Sequence, residues 1–127
     1  MVLAAKAFAD PGRVRILFAL RNAELCVCEL CGALSVTQST LSTHLQVIRK
    51  AGLVTGRKDG KWMYYALSPH GREMTRALFG CFREGLQRDP ILTGDSEKLK
   101  RRVSLRSNGS CCVGYGGKTK ACSDSTK

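Results

Sequence analysis

The chain has 127 residues, enough for one ordinary domain. Lysine and arginine number 21 against 10 acidic residues, so the formal net charge is +11, a balance that draws a small domain to a polyanion. No apolar run approaches the ~18 residues of a membrane span, and the basic, interrupted start MVLAAKAFADPGRVRILFAL does not read as a secretory leader, so the chain is expected in the cytoplasm with no membrane partner.

Residues 1–9 read as a short helix. Asp10 then caps a second helix with Pro11 at its first position, where a missing N–H costs nothing. Val14, Leu17, Phe18 and Leu20 give that helix its buried side, and Asn22 and Ala23 end it. A short helix over about 26–34 leads to a turn at Ser35-Val36-Thr37, and another helix runs over 38–50 to a cap at Gly52. From Leu53 the period changes. LVTGRKDGKWMYYAL reads as two strands around a turn at Lys58-Asp59-Gly60. Ser68 and Pro69 open a helix over 69–86.

The expected fold class is therefore mainly α with a β-hairpin, a winged helix-turn-helix, occupying residues 1–88. SEKLKRR has the composition of a basic helix, but SNGSCCVGYGGKTKACSDSTK is rich in Gly, Ser and Lys. Residues 89–127 are assigned to a basic, flexible C-terminal tail whose lysines and arginines add nonspecific attraction to DNA.

Within 38–50, Leu41, Leu45 and Ile48 form one stripe at about 100° per residue. The other side carries Ser39, Ser42, Thr43, Gln46 and Lys50, Gln38 stands at the start, and no acidic residue occurs anywhere. Hydroxyls and amides at a positive helix end suit base edges and phosphates, so this is the expected reading helix for double-stranded DNA. Arg57, Lys58 and Lys61 at the hairpin tip are expected on the phosphate backbone. Trp62, Tyr64 and Tyr65 read as packing groups, and His44 and His70 as non-ligands.

The cysteines are the other signal. Seven in a reducing compartment suggest metal-binding or reactive thiols rather than a disulfide framework, and the odd count agrees. Three cluster in ELCVCELC at Cys26, Cys28 and Cys31. On a perfect helix Cys28 and Cys31 lie about 60° apart on one face, with Cys26 about 160° from their mean direction. Three sulfurs then meet one ion only if the first turn unwinds, which makes the site a trigger acting on the helix-turn-helix. Structural zinc takes four ligands. All-thiolate sites favour soft ions: trivalent arsenic or antimony takes three thiolates in a pyramid, while cadmium or lead takes three or recruits a fourth.

ELCVCELC, TQSTLSTHLQVIRKAGLV and RKDGKWMYYALSPH together resemble the ArsR-type repressors of arsenical resistance operons, over most of residues 7–72. The resemblance implies that Cys26, Cys28 and Cys31 bind As(III) or Sb(III) as inducer, and that a homodimer blocks an operator until the metalloid arrives. Zinc-sensing relatives carry Asp and His ligands on the last helix, absent from SPHGREMTRALFG, and cadmium- and lead-sensing relatives add cysteines upstream, where none precedes Cys26. A Cd-, Pb- or Zn-responsive repressor is the alternative. A thiol redox enzyme is a distant third: Cys28 and Cys31 have CxxC spacing but no βαβ setting and no neighbouring His, so no catalysis and no catalytic cofactor are expected. Two-fold symmetry would place the dimer interface on helices 1–9 and 69–86, which carry Leu78, Phe79, Phe82 and Leu86. Cys81 reads as a packing residue of the last helix, and Cys111, Cys112 and Cys122 as part of an oxidisable tail, with an auxiliary metalloid site as the alternative that the resemblance implies, since some relatives bind arsenic with a C-terminal Cys-Cys pair.

Overall fold

The computed structural model describes residues 2–106. The order is α1 (Val2–Phe8), α2 (Pro11–Leu20), β1 (Leu25–Cys26), α3 (Val27–Leu34), α4 (Gln38–Lys50), β2 (Val54–Asp59), β3 (Trp62–Leu67), α5 (Pro69–Cys81), α6 (Arg83–Arg88) and α7 (Pro90–Ser104). A mainly helical body thus carries a small antiparallel sheet, the winged helix-turn-helix expected from the sequence.

Local chemistry fixes most boundaries. The Asp10 carboxylate accepts from the N–H groups of Gly12 (2.8 Å) and Arg13 (3.2 Å), capping α2 with Pro11 at its first position. Thr37 Oγ1 caps α4 by accepting from Thr40 N–H at 3.2 Å. Gly52, at φ 77°, donates to Arg49 O and turns the chain out of α4. In the hairpin Asp59 pairs with Trp62, which leaves Gly60 and Lys61 as a two-residue loop with Gly60 at φ 61°. Glycine first in such a loop matches a type II′ turn.

The core is aliphatic. Ile16 and Leu17 of α2, Leu30 and Leu34 of α3, and Leu41, Leu45 and Ile48 of α4 meet Leu53 and Val54 below the sheet. Phe79 of α5 sits edge-on to Phe8 and Phe18, tying α5 back to the first two helices.

Four features depart from the sequence expectations. The sheet has three strands in the order β1-β3-β2, because Leu25 and Cys26 pair with Tyr65 and Tyr64. The helix expected over 26–34 therefore begins at Val27, with Cys26 extended at φ −83°, ψ 162°. The helix expected over 69–86 breaks at Phe82, which leaves helical geometry at φ −114°, ψ 26°; Cys81, expected to pack, is exposed at the end of α5. Finally, residues 90–104, assigned to the flexible tail, form α7. Asp89 caps it, Pro90 opens it, and Leu92 and Leu99 are buried with Val103 half-buried beside them. Arg15 holds the buried Asp95 through two bonds of 2.8 Å and donates to Leu34 O at 2.7 Å, so α7 is fastened to α2 and α3. Cys111, Cys112 and Cys122 lie outside the described residues.

Candidate functional site

The strand β1 and the start of α3 bring two of the three clustered thiols together. Cys26 ends the strand and Cys28 lies in the first turn of the helix, and their Sγ atoms are 2.8 Å apart. Both are buried, at 0% and 1% exposure, in a cluster of their own with Trp62 and Tyr64 of β3. The Trp62 indole Nε1 is buried there without a hydrogen-bond partner among the described residues. Cys31 falls in the main aliphatic cluster instead. Among the described residues no three His, Cys, Asp or Glu side chains are gathered closely enough to hold a metal ion. What the structure supplies is a joined pair, with Cys31 one turn further along α3 on the Cys28 side.

The extended backbone at Cys26 replaces the unwinding that a regular helix would have required. Its N–H donates at 3.0 Å to Oε1 of Glu29, three residues on, the geometry of a helix capping box. Glu29 is itself only 1% exposed, and Arg106 satisfies its carboxylate with bonds of 2.6 and 2.7 Å while donating to Glu24 O at 2.7 Å. The Glu29 bonds push the Arg106 pKa up against the effect of burial, so the guanidinium stays charged. Arg102 Nη2 donates to Cys28 O at 3.1 Å. Burial pushes the Cys31 thiol up, and the Arg102 charge pulls it part of the way back.

The second surface is α4. Gln38, Ser39, Ser42, Thr43, Gln46 and Lys50 are all exposed, opposite the buried Leu41, Leu45 and Ile48. Thr37 Oγ1 lies 3.2 Å from Ser39 Oγ and 2.9 Å from Thr40 Oγ1, so hydroxyls crowd the helix start. Thr40 and Arg49 share this exposed face and were missed in the sequence; counting every exposed position, rather than the side directly opposite the stripe, finds them. Lys58 and Lys61 are exposed at the wing tip. Arg57 is differently placed: Nε and Nη2 chelate the Glu24 carboxylate at 2.6–3.0 Å, with Asp59 3.7 Å away. His44 stands half-buried with Nε2 3.7 Å from the Asp10 carboxylate.

Glu24 and Glu29 were also missed, and Arg102 and Arg106, expected only to add nonspecific attraction to DNA, instead bond the segment that carries the thiols. Glu29 has a local signal, the three-residue spacing from a helix N-cap. The two arginines have none, since their partners lie 74 and 77 residues away.

A helix pair with an exposed polar second helix, flanked by a basic wing, defines the winged helix-turn-helix class. Residues 10–55 match the model of the bacterial regulatory protein, arsR family. The chain belongs to that family. It is 48% identical over 66 residues to the arsenical resistance operon repressor of Escherichia coli K12, covering 51% of this chain and 56% of that protein. It is 46% identical over 74 residues to the arsenic resistance transcriptional regulator ArsR1 of Pseudomonas putida KT2440, covering 58% of each. The chain thus spans little more than half the length of these curated relatives. Among solved structures, the homodimeric winged helix-turn-helix DNA-binding domain Mb0332 of Mycobacterium bovis superposes with a TM-score of 0.62 at 26% identity, covering 70% of this chain and 83% of that one.

Proposed function

We propose that the protein is a transcriptional repressor that binds operator DNA as a homodimer and is released when As(III) or Sb(III) is captured by Cys26, Cys28 and Cys31. One observation carries the reading: two thiols stand 2.8 Å apart at the head of the first motif helix, one of them on a strand that is part of the wing's sheet. A ligand drawn into that pair pulls on α3, which packs on the reading helix, and on β3, which holds the wing. The roles of the Escherichia coli and Pseudomonas putida relatives in arsenic resistance support the choice of metalloid.

The capture chemistry balances without a redox step. Arsenous acid meets three thiols; three As–S bonds form and three As–O bonds break. Each thiol proton leaves with a hydroxide as water. The product is neutral, which suits a site walled by Trp62 and Tyr64. Cys31 is the thiol that must travel, and its travel is the conformational event. The chain is a regulator in this reading rather than an enzyme, works where thiols stay reduced, in the cytoplasm, and has no described helix long and apolar enough to cross a membrane.

Residues 1–88 hold both the reading helix and the thiols, and α7 extends that unit. The exposed Val2 and Leu3 of α1 and Phe82 after α5 provide apolar surface for the dimer. Gln38, Ser39, Ser42, Thr43, Gln46 and Lys50 would face the major groove, with Lys58 and Lys61 on phosphates.

The test is operator binding with and without arsenite, in wild type and in Cys26→Ser, Cys28→Ser and Cys31→Ser. Each variant is expected to bind DNA like wild type and to ignore arsenite. Variants that are still released by arsenite would overturn the site, and release by Cd²⁺ but not by arsenite would overturn the choice of ligand.

A further inference from the structure

Helix α7 lies outside the stretch matched by the family model, residues 10–55, yet Arg102 within it and Arg106, two residues past its end, bond the segment that carries the thiol pair. Three contacts do this. Arg106 grips Glu29 and the Glu24 carbonyl, bracketing the segment that carries Cys26 and Cys28. Through Glu29 it also fixes the Cys26 N–H. Arg102 bonds the Cys28 carbonyl, and its guanidinium lies flat against Gly32, where an added Cβ would stand 2.7 Å from Nη1. At its other end α7 is pinned by Asp95 to Arg15, which also bonds Leu34 O. α3 is thus tied at its head to Arg102 and Arg106 directly and at its C-terminal end to α7 through Arg15 of α2.

We infer that Arg102 and Arg106 are positioning residues that hold the head of α3 in its two-thiol arrangement, so that bringing Cys31 onto the Cys26–Cys28 pair requires the C-terminal turns of α7 to lift. The inference rests on the three-thiol reading above. The mechanical reason is local. Cys31 lies one turn beyond Cys28 on the same short helix, so bringing its thiol onto the Cys26–Cys28 pair distorts the turn between them, and that turn cannot shift without stretching the Cys26–Glu29–Arg106 chain and the Arg102–Cys28 bond. Docking of α7 and three-thiol capture are then linked with opposite sign, and linkage is reciprocal: loosening α7 tightens capture as much as capture loosens α7.

Two variants separate this from a simple loss of stability. Arg102→Gln removes the bond to Cys28 O without leaving a buried carboxylate unpaired, as loss of Arg106 would. Gly32→Ala adds one methyl that displaces the Arg102 guanidinium, while alanine itself favours the helix. The experiment is amide hydrogen exchange across residues 98–106 of the full chain, together with arsenite titration followed by As–S absorption. In wild type, arsenite is expected to speed exchange of the last two turns of α7 at least tenfold. Gly32→Ala and Arg102→Gln are expected to speed it without arsenite and to tighten arsenite binding several-fold, a direction that general destabilisation does not give. Arg102→Lys, which keeps a donor in reach of Cys28 O, is expected to restore both. Unchanged exchange of α7 in arsenite-loaded wild type, or unchanged or weaker arsenite binding by the two loosened variants, would overturn the inference. Failure of the three-thiol reading is separately visible, as arsenite binding that survives loss of Cys31.

Discussion

Gly71 sits where α5 crosses the exit of α4, and a Cβ on it would collide with the Leu53 carbonyl. The approach is this close because Ser68 binds both sides of the joint: its N–H donates to Leu53 O at 2.9 Å, and its hydroxyl donates to Gly52 O at 2.6 Å while accepting from the Gly71 N–H at 2.9 Å. Gly71→Ala is therefore expected to cost about 1–3 kcal/mol, as other forced fits do, read as a lower urea midpoint. An unchanged midpoint would show that the joint has slack. Asp10 is a second such position. Its two cap bonds to Gly12 and Arg13 predict that Asp10→Ala loses about 1 kcal/mol of stability in the same assay.

Among elements, the wing is the one whose charge is partly spoken for. Glu24 chelates Arg57, whereas the other two basic residues at the tip, Lys58 and Lys61, are exposed, with the Lys61 ammonium 5.5 Å from the Trp62 ring centroid. Glu24→Gln weakens that hold and is expected to release Arg57 to a phosphate, steepening the log–log salt dependence of operator binding by about 0.9 per protomer, about 1.8 for the dimer. An unchanged slope would mean that Arg57 is already engaged with DNA or out of its reach. The elements that could be read in the sequence are those with a local chemical signature: Asp10-Pro11 before α2, Thr37 before α4, Asp59-Gly60 in the hairpin and Ser68-Pro69 before α5. α7 has the same signature in Asp89-Pro90, but the polar, basic run that follows hides a stripe reduced to Leu92, Leu99 and Val103. β1 had no readable signal, because two residues carry no period and their pairing with Tyr64 and Tyr65 is long-range. The cysteines were legible as a cluster; their arrangement was not, since it depends on that strand and on arginines more than seventy residues away.

At the scale of the whole molecule, the thiol pair sits at the junction of the parts that a repressor must move together. β1 ties it to the wing, α3 ties it to the reading helix, and α7 covers it from behind. The net charge of +11 is available for a sequence-independent attraction to DNA, and the proposed capture of arsenite by three thiols leaves that charge unchanged, so the proposed release is one of shape rather than of charge. Release is accordingly expected to persist across salt concentrations once binding without arsenite is matched, and release that disappears at moderate salt would point to an electrostatic effect. The most direct measurement titrates the operator-bound protein with arsenite while counting free thiols and DNA release in the same samples. One arsenic per chain is expected to consume three thiols, those of Cys26, Cys28 and Cys31, in step with loss of DNA. DNA released with fewer than three thiols consumed, or still held after all three are consumed, would contradict the three-thiol trigger.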